Sequence, residues 1–194
     1  GWHNALFPTG FSGLYKIEVA KYRSGEMQVV SGAMGKERVH YEAPEASRVE
    51  AEMTAFLSWF NATSNIDPVI KAAIAHFRFV TIHPFDDGNG RIARAITDMQ
   101  LSRGDGTSQR FYSMSNQILA ERKRYYEILE KTQHGDSDIT EWIEWFLSCL
   151  ERALIGSTEV LKSVLAKAEF WETHKQTALN WKTRSNRPSK DGSN

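Results

Sequence analysis

Apolar residues recur at helical spacing along most of the chain and at strand spacing in one short stretch near its start. Val49, Met53, Phe56, Leu57 and Phe60 predict a first helix, and Ser47 with Glu50 predicts a capping box at its start. Asp67-Pro68 reads as an N-cap followed by proline at the first helical position. Ile70, Ala73, Ile74 and Phe77 form the inward stripe of that helix. Ile92, Ala95, Ile96 and Met99 mark another, expected to stop at Gly104. Ser115 is the expected cap of a helix carrying Ile118, Leu119, Arg122, Tyr126 and Leu129. A further helix from Thr140 holds Trp142, Phe146, Cys149, Leu150 and Ala153, and a last one runs from about Thr158 into the 170s. Met27 to Ser31 and Arg38 to Glu42 read as two strands of a hairpin, with Gly32 and Gly35 between them. Residues before Lys21 mix Gly, Pro and aromatics and read as irregular. The polar end from Thr183 reads as disordered. The expected fold is mainly α, a helical bundle with a small β-hairpin beside it.

Composition adds limits. The 194 residues suit one domain with its own core, and 41% are hydrophobic and 25% charged. Acidic and basic residues balance at 24 each, so neither nucleic acid nor an anionic membrane is called for as a partner. No apolar run is long enough to cross a bilayer. The single cysteine, Cys149, lies on an apolar stripe, reads as a buried hydrophobe and fits a reducing, cytoplasmic compartment.

One segment carries more chemistry than a connector needs. His83-Pro84-Phe85-Asp86-Asp87-Gly88-Asn89-Gly90-Arg91-Ile92-Ala93-Arg94 joins two apolar helices yet concentrates acids, bases and glycines. Gly88 and Gly90 free the backbone around Asn89 where the next helix starts, and free N–H groups at a helix N-terminus attract anions. Arg91 and Arg94, three apart, place guanidinium forks above that cradle. Asp87 sets a hard carboxylate beside it, as a Mg²⁺ bridging phosphates requires. His83 titrates near neutrality and could take a proton from a hydroxyl, and Pro84 is expected to hold it extended. Phe85 reads as a plug into the core. A Walker A loop would need Lys and Ser/Thr where Arg91 and Ile92 stand. A calcium loop counted from Asp86 would end on Glu and reaches Thr97 instead. No zinc spacing of His or Cys occurs. On the residues alone, a solvated loop with a helix cap stays open beside the phosphate site.

The same segment is similar to the signature of the Fic family, His-Pro-Phe-x-Asp/Glu-Gly-Asn-Gly-Arg-x-x-Arg, at every position. The resemblance extends from about Leu6 to about Ala168, through Leu6-Phe7-Pro8, the hairpin, the His76 helix and Asp138-Ile139-Thr140-x-Trp142. It implies a Fic domain over 1–168, with a flap hairpin at about 27–42 and an active-site loop at 83–94. A helical extension and tail over 169–194 would follow. It implies protein adenylylation: AMP moves from Mg-ATP to a Ser, Thr or Tyr hydroxyl of a protein docked on the flap. By the resemblance His83 is the general base and Asp87 the Mg²⁺ ligand. Gly88, Asn89 and Gly90 cradle phosphate, Arg91 meets the β-phosphate and Arg94 the γ-phosphate. Arg38, Val39, His40 and Tyr41 would line the nucleotide from the flap, and Tyr125-Tyr126 would lie near adenine. Periodicity places Tyr126 on the apolar stripe, so one of the pair belongs to the core. Gln133 stands where some relatives carry an Asn beside the base.

Sister reactions of the fold, phosphorylation among them, and a nucleotide-holding regulatory module are the alternatives. The phosphorylating branch carries Lys at the position of Gly90, and the intact His83 speaks against a mere binder. His76 reads as packed and hydrogen-bonded; His3, His134 and His174 read as surface. Many Fic proteins carry an inhibitory Ser/Thr-x-x-x-Glu-Gly/Asn helix whose Glu pairs with the second motif arginine, here Arg94. Ser137 to Glu141 and Thr140 to Glu144 have part of that spacing, but Trp142 and Trp145 follow. With no initiator Met ahead of Gly1, the expectation is a brake upstream or on a partner protein. A homodimer is a further expectation from the family.

Overall fold

The computed structural model describes residues 1–31, 38–107 and 111–185, the side chains of Ser31, Arg38 and 176–185 excepted. Among the described residues seven helices and two small hairpins follow in chain order: α1 (Trp2–Leu6), β1 (Phe11–Ser12), β2 (Tyr15–Lys16), β3 (Gln28–Ser31), β4 (Arg38–Glu42), α2 (Ala46–Asn61), α3 (Pro68–Ile82), α4 (Asn89–Asp105), α5 (Met114–Ala120), α6 (Arg122–Gln133) and α7 (Thr140–Ser185). Helix α3 is the hub. It packs against α2, α4 and α7, and Ala72, Ala73 and Ala75 are fully buried at those crossings. Small residues let the neighbours approach closely, and Trp142, Phe146, Phe56 and Phe79 fill the space around them. Trp142, fully buried, donates its Nε1–H to the Ala73 carbonyl at 2.9 Å. The mainly α fold and the flap-sized hairpin β3–β4 agree with the sequence.

Asp67 caps α3 as expected, its carboxylate accepting from the Val69 and Ile70 amides at 2.8 and 3.3 Å. The buried face of α3 is wider than the expected stripe. It takes in Lys71, which donates to the Ala62 carbonyl at 2.9 Å, and His76.

Several boundaries differ from the sequence reading. The capping box at Ser47 and Glu50 does not form: α2 begins at Ala46, directly after Pro44-Glu45, and Ser47 already lies inside its first turn. Helix α4 passes Gly104 and ends on Gly106, whose φ of 65° is the left-handed stop. Ser113, not Ser115, caps α5, accepting from the Asn116 amide at 3.1 Å. The single helix expected over Ser115 to Leu129 is two, broken at Glu121, where Arg152 forks onto the carboxylate at 2.7 and 2.6 Å. The break shifts the helical phase, so Tyr125 turns into the core and Tyr126 lies half-buried at its edge. The two helices expected after Thr140 are one uninterrupted α7, which continues through Gly156 and Ala168. The irregular start also contains order, in α1 and the β1–β2 pair. The loop glycines Gly32 and Gly35 and the tail from 186 lie outside the described residues.

Hairpin β3–β4 is antiparallel, pairing Gln28 with Glu42 and Val29 with Tyr41, with a register break between Val29 and Val30. The break lets His40 and Tyr41, neighbours in sequence, both reach the cleft beside α3. Among the described residues no helix is long and apolar enough to cross a membrane.

Candidate active site

The last turn of α3 leaves four carbonyls without helical partners, and all four are taken by site residues. The His83 amide donates to Phe79 at 3.1 Å, and the His83 ring Nδ1 to Val80 at 3.1 Å. The Tyr41 hydroxyl donates to Thr81 at 3.0 Å, and an Arg23 Nη to Ile82 at 3.5 Å. The helix end is thus where the motif histidine and the flap meet. His83 does not extend before Pro84 as expected. It caps α3 with φ 50° and ψ 60°, a left-handed conformation, which costs a residue with a Cβ on the order of 1 kcal/mol or more. Because a carbonyl only accepts, Nδ1 carries the proton, and Nε2 keeps a free lone pair. Burial lowers the His83 pKa below the ordinary histidine value, and the Arg23 charge adds to this against the opposing effects of the Val80 carbonyl and Asp87. The imidazole is neutral at pH 7.

Asn89 closes the loop that follows. Its side-chain oxygen accepts from the Phe85 amide at 3.0 Å and its nitrogen donates to the Phe85 carbonyl at 2.7 Å. One N–H and one lone pair of the Asn89 side chain thus hold the loop in shape around the cradle expected from Gly88, Asn89 and Gly90. Gly88 has φ 85°, and a Cβ there would come within 2.8 Å of the Phe7 ring, so this position needs glycine twice over. Asp87 turns its carboxylate to the mouth of the loop. It accepts from the Ser12 hydroxyl and from the Gly88 amide and lies 3.5 Å from Arg91. The Arg91 guanidinium also stacks 4.5 Å from the centre of the Phe7 ring.

Arg94 runs the other way, into a cleft bordered by His83, Gly90, Tyr126, Gln133 and, from the flap, His40 and Tyr41. His40 Nδ1 lies 2.6 Å from the Glu130 carboxylate of α6, closing one end of the cleft. Gln133 donates to the Thr81 hydroxyl at 3.1 Å, which leaves its carbonyl oxygen as an acceptor at the cleft wall. A neutral base and a cation thus border one cavity, with Gly90 in its wall.

Over residues 2–101 the chain matches the Fic/DOC family. It belongs to the Fic/DOC family. It is 31% identical over 151 residues to a protein adenylyltransferase Fic of Nematostella vectensis, covering 75% of this chain and 31% of that protein. It is 35% identical over 104 residues to a protein adenylyltransferase Fic of Culex quinquefasciatus, covering 53% of this chain and 19% of that one. The chain spans about a third or less of the length of these curated relatives. Among solved structures it is similar to a Fic family protein from Desulfovibrio desulfuricans G20, with TM-score 0.65 and 29% identity over 83% of this chain and 45% of that one. It is also similar to a Fic domain containing signaling protein from Bacteroides thetaiotaomicron VPI-5482, with TM-score 0.59 and 27% identity over 77% and 57%.

Within this Fic domain the expected site residues do not all converge. His83, Gly90, Arg94, His40, Tyr41, Tyr125 and Tyr126 border the cleft, while Asp87 and Arg91 stand at the loop mouth outside its lining. Val39 is half exposed and outside the lining. The Arg38 side chain lies outside the described residues. Tyr125, not Tyr126, is the core member of the pair. It is buried and donates its hydroxyl to His76 Nε2 at 3.0 Å, while His76 Nδ1 donates to Thr97 at 2.9 Å. That network bears out the packed role expected of His76, whose pKa burial pushes down to about 3, with the Arg94 charge adding to it.

His3 is not a surface residue. It is buried, accepts from the Ala20 amide at 2.9 Å, donates from Nε2 to the Asp87 carbonyl at 3.1 Å and stacks on Phe85 at 4.2 Å. The Phe85 plug thus has a lid. Ser12 at Asp87, Arg23 beneath His83, and Glu130 against His40 were also unexpected. Their positions relative to the loop depend on contacts 60 to 90 residues apart, which leave no local trace.

Proposed function

We propose that this Fic domain transfers AMP from Mg-ATP to a hydroxyl side chain of another protein. The observation that carries the proposal is the fixed tautomer of His83: a buried neutral imidazole whose Nδ1–H is held by Val80, with Nε2 free in a cleft shared with Arg94. In this reading the target hydroxyl gives its proton to Nε2 as its oxygen bonds to the α-phosphorus. The bond to the bridging oxygen breaks, and pyrophosphate leaves. The amides at the start of α4 face the phosphates, and Arg94 offsets charge on the departing group. Glycine at position 90 keeps that approach open.

The residues present fit Mg²⁺. Asp87 offers one half-exposed hard carboxylate, and among the described residues no group of three His, Cys, Asp or Glu could hold an ion alone. Magnesium suits a single carboxylate completed by phosphate and water, and there it would neutralise phosphate charge. The target docks as an added strand on an edge of the two-stranded flap. In this reading a brake would act on Arg94 and be supplied by an upstream segment or a partner. The cytoplasm is the proposed compartment, on the strength of the lone, buried Cys149.

Incubation with α-labelled and with γ-labelled ATP tests the proposal. Label from the α-position alone is expected on protein, and His83→Ala should lower it by about 10²–10⁴-fold. Label from the γ-position alone would instead make the domain a kinase, and near-normal transfer by His83→Ala would end the mechanism.

A further inference from the structure

Arg23 lies 60 residues before the motif histidine, on no helix or strand, yet its side chain is buried. Its Nε donates to the His83 carbonyl at 2.8 Å and Nη1 to the Gly25 carbonyl at 2.9 Å. Its Nη2 donates to the carbonyls of Pro44 and, at 3.5 Å, Ile82. Its backbone amide donates to the Pro84 carbonyl at 2.9 Å. One residue thus joins three places: the end of α3, the His83–Pro84 peptide with the peptide after it, and the two roots of the flap at Gly25 and Pro44. No carboxylate reaches it with a salt bridge among the described residues. A desolvated cation hydrogen-bonded to carbonyls is costly, and burial lowers its pKa from the ordinary arginine value against the opposing influence of Tyr41 and the Asp86 charge.

The geometry shows what that cost offsets. A left-handed histidine before a proline is strained, and such a residue persists only where its surroundings over-determine it. Two of the bonds that fix it, to the carbonyls of His83 and Pro84, come from Arg23. The positive charge also sits at the negative end of the α3 dipole. Lysine could supply the charge but not the planar fork that meets carbonyls in several directions at once.

We propose that Arg23 is a positioning residue for the transfer reaction: it holds the His83 peptide in its left-handed turn and ties that turn to the roots of the flap, so that base and flap are set together. This rests on the adenylyl-transfer reading above.

The test uses the whole chain with Arg23→Lys, and Arg23→Gln as a second variant. Pyrophosphate release at saturating ATP, the KM for ATP, the melting temperature and the ring-nitrogen NMR spectrum of His83 are compared with wild type. Expected is a loss of tenfold or more in kcat and a KM within about twofold, in variants that are less stable but still fold and melt cooperatively above the assay temperature. The His83 ring should change from the pure Nδ1–H tautomer to a mixture. Wild-type kcat in either folded variant overturns the proposal. So does a parallel collapse of melting temperature, ATP affinity and kcat in both, which would make Arg23 a purely structural tie. If the wild type releases no pyrophosphate and labels no protein, the transfer reading fails; the tautomer readout then judges Arg23 alone, and an unchanged Nδ1–H tautomer in the variants refutes it.

Discussion

Acidification from pH 7.5 to 5 should destabilise the protein through His76, at the centre of the bundle. Its two ring nitrogens are occupied by Thr97 and Tyr125, and burial holds its pKa near 3 against an ordinary 6.5. The unfolded chain therefore binds a proton below pH 6.5 that the folded chain refuses. Stability from this group is full above 6.5, falls as the pH drops through 6.5, and goes on falling to about 3. At pH 5 the gap is about 1.5 units, worth about 2 kcal/mol at 1.36 kcal/mol per unit. For a chain of 194 residues the unfolding entropy is roughly 0.4 kcal/mol/K, so the melting temperature should drop by about 5 °C from this source. His83, also depressed, adds a smaller effect of the same sign. Denaturant melts at both pH values, for wild type and for His76→Gln, isolate the central term. The variant will be less stable outright, since it disturbs two buried bonds, but its loss between the two pH values should be smaller by about 2 kcal/mol. An equal loss in both proteins would refute the neutral, buried His76.

Asn89→Ala strands the amide and carbonyl of Phe85, which should cost about 2–4 kcal/mol of stability and weaken Mg-ATP binding, checked by melts and calorimetry. Wild-type ATP affinity in a folded variant would mean the loop holds its shape without the Asn89 bonds. Arg94→Ala should weaken ATP binding about tenfold or more while leaving Asp87-dependent metal sensitivity intact; unchanged affinity by calorimetry would remove Arg94 from phosphate binding. The rate of transfer should hold its plateau through pH 6.5 and fall only at lower pH, because the depressed pKa keeps His83 deprotonated; an acid limb centred at or above 6.5 would contradict its burial.

The motif loop, the cap at Asp67 and the mainly α architecture could all be read along the chain, since each depends on neighbours a few residues away. Helical phase failed where a local break intervened. Nothing near Glu121 announces one, because the partner that holds it, Arg152, lies 31 residues on. That single missed break exchanged Tyr126 for Tyr125 in the core. The αL turn at His83 was missed for a similar reason: the local preference of a residue before proline points elsewhere, and tertiary hydrogen bonds override it. His3 and Ser12 were hidden because a short run such as Trp-His-Asn-Ala-Leu says nothing about what it folds against.

The way the first two dozen residues clasp the motif has a consequence for the order of assembly. The α3–α4 hairpin closes a short loop, so it can form early and locally. The contacts that finish the site, His3 to Asp87, Ser12 to Asp87 and Arg23 to His83, close loops of 84, 75 and 60 residues. Loops of that length cost entropy before they return any contact. The clasp also buries little to hold it, only His3, Phe7 and Arg23 among residues 1–25, so it should open in excursions well short of global unfolding. Catalytic competence and compactness are then separate thresholds, and a warmed sample would fall silent as an enzyme while its helices remain intact.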